Sequence, residues 1–245
     1  MKHDPRELAA VQQAASAYAV ARENLYSGIH KALRALLSDT LLAVGRMDAQ
    51  DDLELAQATQ RVLQMLDLMR SHLEHENAFV HPVLESRAPG SSELIGDDHV
   101  GHVAEIGALA AQTHALLTSP QDARDAAAFA LYQRLALFAA HNFEHMNVEE
   151  TAHNAVLWAH YSDAELMQVH GALVASVPPE EMMQYLRWLV PFMNPRERAT
   201  LLGGMRQQVP APVFEVVLQM VRPHLDAREW QKLETALALP VAAAG

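Results

Sequence analysis

The sequence predicts an all-α protein: an up-down-up-down four-helix bundle over residues 1–160, followed by a smaller region of short helices over 161–245. Three observations predict it. Ala and Leu dominate a chain that is 50% apolar but only 6% aromatic, and runs of β-branched residues are nearly absent, which favours helix. Four breaks in the helical pattern leave stretches of bundle-helix length between them. Beyond residue 162, prolines recur close to helix starts at short spacing.

The first long helix ends at GRMDAQDD (45–52), and the second at RAPGSSELIGDD (87–98), where Pro and Gly stop one helix and Ser or Asp can cap the next. The third ends at TSPQDARD (118–125) and the fourth at AHYSDAEL (159–166). There Ser162 followed three residues later by Glu165 reads as a capping box. In the tail, SVPPEE, MNPRER and VPAPVF each place Pro at a helix start, so the helices between them are short. Residues 1–15 and the final AAAG read as loose ends.

A chain of 245 residues is long enough to bury a proper core. It contains no cysteine, which excludes disulfides, thiolate metal sites, iron–sulfur clusters and thiol catalysis. The formal charge is −12, and residues 1–160 carry 11 Lys and Arg against 21 Asp and Glu. This acidic front portion argues against a nucleic-acid binder, which needs a basic footprint. No apolar run is long enough to span a membrane. MKHDPRELAA lacks the layout of a secretory signal, so a cytoplasmic protein is expected.

Histidine carries the chemistry. Eleven of the 14 lie from His30 to His160, and four of them share apolar helix faces. His72 and Glu76 interrupt the stripe Met65, Met69, Phe79, Val83. His145 and Glu149 interrupt Leu135, Phe138, Asn142, Ala152, Val156. In each pair the four-residue step is about one helical turn, so imidazole and carboxylate share a face. On the first helix His30 sits in the seam Tyr26, Leu33, Leu37, Leu41. On the third, His102 follows Ile95 and precedes Ile106 and Leu109, with either His99 or Asp98 turned inward. A single His-x-x-x-Glu pair is ordinarily a solvated surface pair. Two copies on core seams, with imidazoles on the other two helices, argue instead for a site holding two transition-metal ions, and this donor mixture suits iron, manganese or zinc. A buried Glu is costly unless it is paired or bound to metal. The expected ligands are His30, His72, Glu76, His99, His102, His145 and Glu149. His75 and His141 flank the site and are read as non-ligands, with a role as ligands or as donors to a ligand as the alternative; His81 is read as peripheral, and His3, His114, His153, His160, His170 and His224 as surface or ordinary packing. Tyr26 is read as a core aromatic, with a phenol hydrogen-bonded to a ligand as the alternative.

These residues resemble the hemerythrin-like (HHE cation-binding) domain family. The run His72…Glu76-Asn77…His81-Pro82-Val83-Leu84 looks like that family's helix-two motif, His145-Met-Asn-Val-Glu149-Glu150 like its helix-four copy, and NLYSGIHKALR (24–34) like its first-helix segment. The resemblance implies a non-haem di-iron centre, with two iron ions bridged by Glu76 and Glu149, and with His30 and His102, joined by His99, as the ligands from helices one and three. Ferritin-like bundles instead use inward Glu-x-x-His pairs, which this chain lacks at matched positions. Asn77 stands where the family often has a second Glu, and helix three lacks the His-x-x-x-His of oxygen carriers. The absence of cysteine departs from the bacterial iron-centre-repair branch. The tail segment EEMMQYLRWLVPFMNPRERATLLGGM resembles one found after such domains in some bacterial proteins and in iron-sensing ubiquitin ligases of plants.

The function so implied is a di-iron protein that binds, senses or detoxifies oxygen, nitric oxide or peroxide, its partner being a small diatomic ligand or peroxide. Two alternatives stand beside it: a di-iron oxidase or peroxidase-like enzyme at the same residues, and a helical regulatory module with a structural metal. The last would use Trp188, Phe192 and Met193 as a homodimer or protein-partner face, whereas simple packing of the tail onto the bundle is the plainer expectation.

Overall fold

Asp51 starts the second long helix as a side-chain cap, accepting from the Leu53 and Glu54 amides, which satisfies donors that have no partner within the helix. Ser162 and Glu165 form the capping box their spacing predicts, and Asn194 with Glu197 and Asp226 with Glu229 form two more. Such caps, with prolines at helix starts, cut the chain into its elements. The computed structural model describes residues 5–19 and 22–239, and among these there are helices and no strand.

Helix α1 is Pro5–Ala19 and α2 is Ser27–Arg46. Helix α3 runs Asp52–His75, passes through a π-helical turn Glu76–Val80, and continues as His81–Arg87. Helix α4 is Glu93–Leu117. Helix α5 runs Gln121–Val148, passes through a second π turn Glu149–His153, and continues as Asn154–His160. The short helices are α6 (Asp163–Ser176), α7 (Pro179–Phe192), α8 (Pro195–Gln208), α9 (Ala211–Val221) and α10 (Ala227–Leu237).

Helices α2, α3, α4 and α5 form the bundle, each packing on two of the others: α2 on α3 and α5, α4 on α3 and α5. Their inner faces bury one large apolar cluster that includes Leu33, Leu37, Val62, Leu66, Leu109, Leu131 and Phe138. A second cluster, Tyr26, Val80, Leu84, Leu157 and Leu166, closes the other end. The polar layer of His30, His72, Glu76, His145 and Glu149 lies between the two. Gly45, expected at the break after the first helix, instead lies inside α2. A Cβ there would stand 2.8 Å from the Tyr132 ring, so the glycine lets α2 and α5 approach closely. Residues 5–15, expected to be loose, are part of α1, which lies against the π turn of α5. The AAAG tail lies outside the described residues.

The short helices build their own apolar cluster around Leu186, Val190, Leu202, Phe214, Val217 and Val221. Helix α7 joins it to the bundle. Tyr185 is buried in the bundle core and donates to the Leu68 carbonyl at 3.2 Å, Trp188 packs on the same core, and Ser71 bonds Glu181. Lys31 on α2 pairs with Glu197 at 2.6 Å. Trp188 therefore faces the bundle, while Phe192 stacks on it from outside and stays exposed.

Arg198 holds the tail together. It is 1% exposed, and its guanidinium donates to the carbonyls of Val190, Pro191 and Met193 at 2.8–3.0 Å. These are the carbonyls at the end of α7, where the helix dipole favours a cation. Glu229 lies 3.5 Å away as counter-charge. Arg198→Met is expected to lower stability by about 2–4 kcal/mol through the tail. Denaturation followed at Trp188 and Trp230 checks it, and an unchanged midpoint would remove this role.

Candidate metal centre

Both His-x-x-x-Glu pairs end at the first residue of a π turn. A π turn inserts about one extra residue per turn into an α-helix. The buried face beyond each Glu therefore shifts by one position. After Glu76 the structure buries Val80, His81 and Leu84, where an unbroken α register would bury Phe79 and Val83; after Glu149 it buries His153, Asn154 and Leu157, in place of Ala152 and Val156. His81 and His153, read from the sequence as peripheral and surface residues, are thereby turned inward, 8% and 2% exposed.

Two groups of candidate ligand atoms result, each within 4.8 Å of one another: His30, His72, Glu76 and Glu149, and Glu76, His99, His145 and Glu149. Both carboxylates belong to both groups. Glu76 Oε1 lies 3.5 Å from His30 Nε2 and 3.3 Å from His72 Nε2, while its Oε2 lies 3.6 Å from His99 Nε2. Glu149 Oε2 lies 3.5 Å from His30 and 3.4 Å from His145, and its Oε1 lies 3.8 Å from His99. A third group joins Glu149 to His81 and His153.

The donors fit a metal pair. All four oxygens of Glu76 and Glu149, and the Nε2 atoms of His30 and His72, are buried without a hydrogen-bond partner among the described residues. Buried carboxylate oxygens left without donors are costly. The nitrogens of His99 and His145 converge to 3.1 Å, close to the ~3 Å that separates adjacent ligands each about 2.1 Å from one ion. Cations between the imidazole pairs would satisfy all of these atoms at once.

Outer partners fix the rings. His30 Nδ1 lies 3.1 Å from Glu150, itself clamped by Arg34 at 2.6 and 3.1 Å. His99 Nδ1 donates to Asn77 at 2.8 Å. Asp98 stands 3.5 Å from His145 Nδ1 as a nearby charge, without a hydrogen bond to it. A ring that donates from Nδ1 presents its Nε2 lone pair inward, as a metal ligand must. Asn77, the departure from the family motif, thus has a use on His99. Asp98 is exposed and His99 buried, which resolves the register of α4 in favour of His99. Tyr26 is buried as expected of a core aromatic, and its hydroxyl also meets His153 Nδ1 at 3.0 Å.

His102 is not brought into either group. Its ring meets His145 edge-on at 4.8 Å between centroids, and it lines an open polar cleft of about 640 Å³ with Asp97, Glu105, Arg134 and His141. On α4 His99 takes the inward direction, and a three-residue step, short of a full 3.6-residue turn, angles His102 toward the cleft beside His145. His75 is half-buried beside Ser71, and His141 is exposed in the cleft. His114, His160, His170 and His224 are exposed as read, and His3 lies outside the described residues.

Burial pushes the free imidazoles toward neutrality: His72, His99 and His153 are lowered to about 4, and His145 to about 2, with His99 adding to the last. For Glu76, burial is outweighed by His72 and His30, which hold it below the usual carboxylate range. Glu149 is pushed above that range by burial and by the adjacent Glu76. Without cations the carboxyl pair therefore keeps a proton, which metal uptake must displace.

The pH dependence of the metal-free protein follows. Its unfolded chain takes up histidine protons near 6.5, whereas the buried rings resist them until about 4. Stability is therefore expected to fall as pH drops from 6.5 to about 4, by on the order of 3 kcal/mol for His72 alone. The raised Glu149 and the raised His30 oppose this, as two groups against several. Denaturant midpoints at pH 7, 5.5 and 4.5 measure the slope; a level profile contradicts it.

No curated protein and no solved structure matches the chain. The sequence profile of the hemerythrin HHE cation-binding domain matches residues 24–153. That span runs from the segment before α2 to the last residue of the second π turn and holds every residue of the three ligand groups. With more than half of its length matched and both His-Glu pairs facing one buried layer, the chain belongs to the hemerythrin HHE cation-binding domain family.

Proposed function

We propose that this protein is a non-haem di-iron protein of hemerythrin type that binds a small diatomic molecule or peroxide, in sensing or detoxification. The observation that carries the reading is the pair of buried, donorless carboxylates set between two pairs of imidazoles. His30 and His72 would hold one ion and His99 and His145 the other, with Glu76 and Glu149 shared; His102 has no place in this set. Iron is favoured by a mixed imidazole and carboxylate donor set without sulfur. When bound, an iron pair supplies reversible electron transfer and a position for a diatomic ligand.

The chain's own residues set the conditions for that chemistry. Glu150 and Asn77 keep His30 and His99 in the tautomer that faces inward. The apolar clusters above and below exclude bulk water and raise the cost of charge in the layer. Tyr26 meets His153, which is grouped with Glu149, so a phenol proton can be held or passed within the layer.

Purified protein produced with ample iron is expected to carry about two iron ions per chain, with near-ultraviolet absorption that bleaches on reduction. Glu149→Ala is expected to lose at least half of the metal and the absorption. Elemental analysis decides it, and less than about one metal per chain in the unaltered protein sinks the reading. Glu150→Gln removes only the outer carboxylate on His30 and is expected to weaken metal binding about 10–100-fold. Competition with a chelator measures this, and an unchanged affinity would leave Glu150 a mere partner of Arg34.

A further inference from the structure

The metal layer is approached from two sides that differ in chemistry. On the His145 side lies the polar cleft. On the His72 side lies a cavity of about 190 Å³, between α2, the π turn of α3, and the short helices α6, α7 and α8. Its walls are apolar, formed by Ile29, Leu173, Val177, Met182, Leu189 and Met193, and His72 and Glu76 form part of its lining. Five of these six wall residues lie beyond the family match. Gly28 leaves part of the space open, for a Cβ there would stand 3.8 Å from Met193 Cε and 3.9 Å from Leu189 Cδ1.

We propose that this cavity is a binding site for a small neutral organic molecule, predominantly apolar, held against the His72–Glu76 edge of the metal layer. The volume sets the size: a dry cavity of about 150 Å³ takes a benzene ring, so about 190 Å³ takes a ring or branched chain of roughly six to nine non-hydrogen atoms. That is much more than a diatomic ligand needs. The lining sets the class, because a charged molecule would give up its hydration to walls that offer almost no partners. A few polar groups at one edge, with apolar walls elsewhere, are the usual make-up of a ligand pocket. The short helices thereby gain a role: they roof a chamber that the bundle alone leaves open. The inference stands apart from the iron reading, since the apolar lining is the same whichever cation the carboxylates hold.

Toluene is the probe. Calorimetry on the full chain as purified is expected to give a dissociation constant on the order of 0.1–1 mM. Gly28→Leu fills the cavity from α2 and replaces glycine with a better helix former, so folding and metal content are expected to be kept while toluene binding weakens at least tenfold. Leu173→Trp fills it from the opposite wall and is expected to do the same. In zinc-loaded protein, toluene is expected to shift the ring resonances of His72 and leave those of His145 in place. Failure of toluene to bind the unaltered chain up to its solubility overturns the proposal, as does equal binding by both filled variants or a shift confined to His145. Metal content, measured on the same samples, reports separately on the iron reading.

Discussion

Two carboxylates face each other in the middle of an apolar bundle, and the rest of the molecule answers that constraint. Glu149 is fully buried and Glu76 nearly so, and among the described residues neither has a hydrogen-bond donor on any side-chain oxygen. In a low-dielectric interior two such groups cannot both ionise without compensation. The compensation comes in two rings. The inner ring is four imidazoles: burial holds His72, His99 and His145 toward neutrality, whereas at His30 burial is outweighed by the Glu150 and Glu76 carboxylates, which raise it. The outer ring is polar, with Glu150, Asn77 and Asp98 each behind one imidazole. A bundle built only for stability would fill this layer with Leu and Val, as it does immediately above and below. Here stability is given up locally for a layer whose buried oxygens and nitrogens would find their partners in bound cations.

The fold class, the order of the long helices and the inward placing of His30, His72 and His145 are legible in the sequence because they follow from local rules. His72–Glu76 and His145–Glu149 need only the spacing of an α-helix and a neighbouring apolar seam. The Ser162 cap needs only its partner at Glu165. What could not be read depends on backbone geometry that the α period does not contain. Each π turn begins at the ligand Glu and advances the buried face by one residue, so a stripe continued at α spacing runs to Phe79 and Ala152 and misses His81 and His153. A signal was present: Val80 and Leu84, and Leu157, form an apolar pattern one position out of phase with the stripe before the Glu. A phase slip of one residue across a polar pair, occurring twice at the same place in the motif, marks a π insertion. His102 failed for a simpler reason, since periodicity placed it on the seam but could not weigh it against His99.

The two π turns also tie the centre to the closed end of the bundle. By turning His81 inward, the α3 turn stacks its ring on His99 at 4.9 Å; by turning His153 inward, the α5 turn sets it edge-on to His81 and against Tyr26. The polar layer is thereby thicker than the six inner donors, and it reaches the apolar cluster through a phenol. Residues in that second shelf are buried without formal charge, a state that costs little in a metal-free protein at neutral pH but becomes expensive in acid. Sensitivity to acid and readiness to bind cations thus share one cause, imidazoles whose protons have been excluded by burial.

The short helices add an asymmetry that the bundle lacks. Along its length the bundle treats the two halves of the centre alike, each with two imidazoles and a share in both carboxylates. Around it the surroundings diverge: acidic and basic side chains open to water beside His145, apolar walls under α6, α7 and α8 beside His72. Ions and polar ligands are stabilised in the first environment, and molecules that leave water readily in the second. Arg198 matters to that difference from a distance, because it holds the end of α7, and α7 carries Met182, Leu189 and the buried Tyr185 that together set the roof against the bundle. A centre with equivalent inner donors is in this way given two unlike sides, and the side built by the helices outside the family match is the one whose chemistry is particular to this chain.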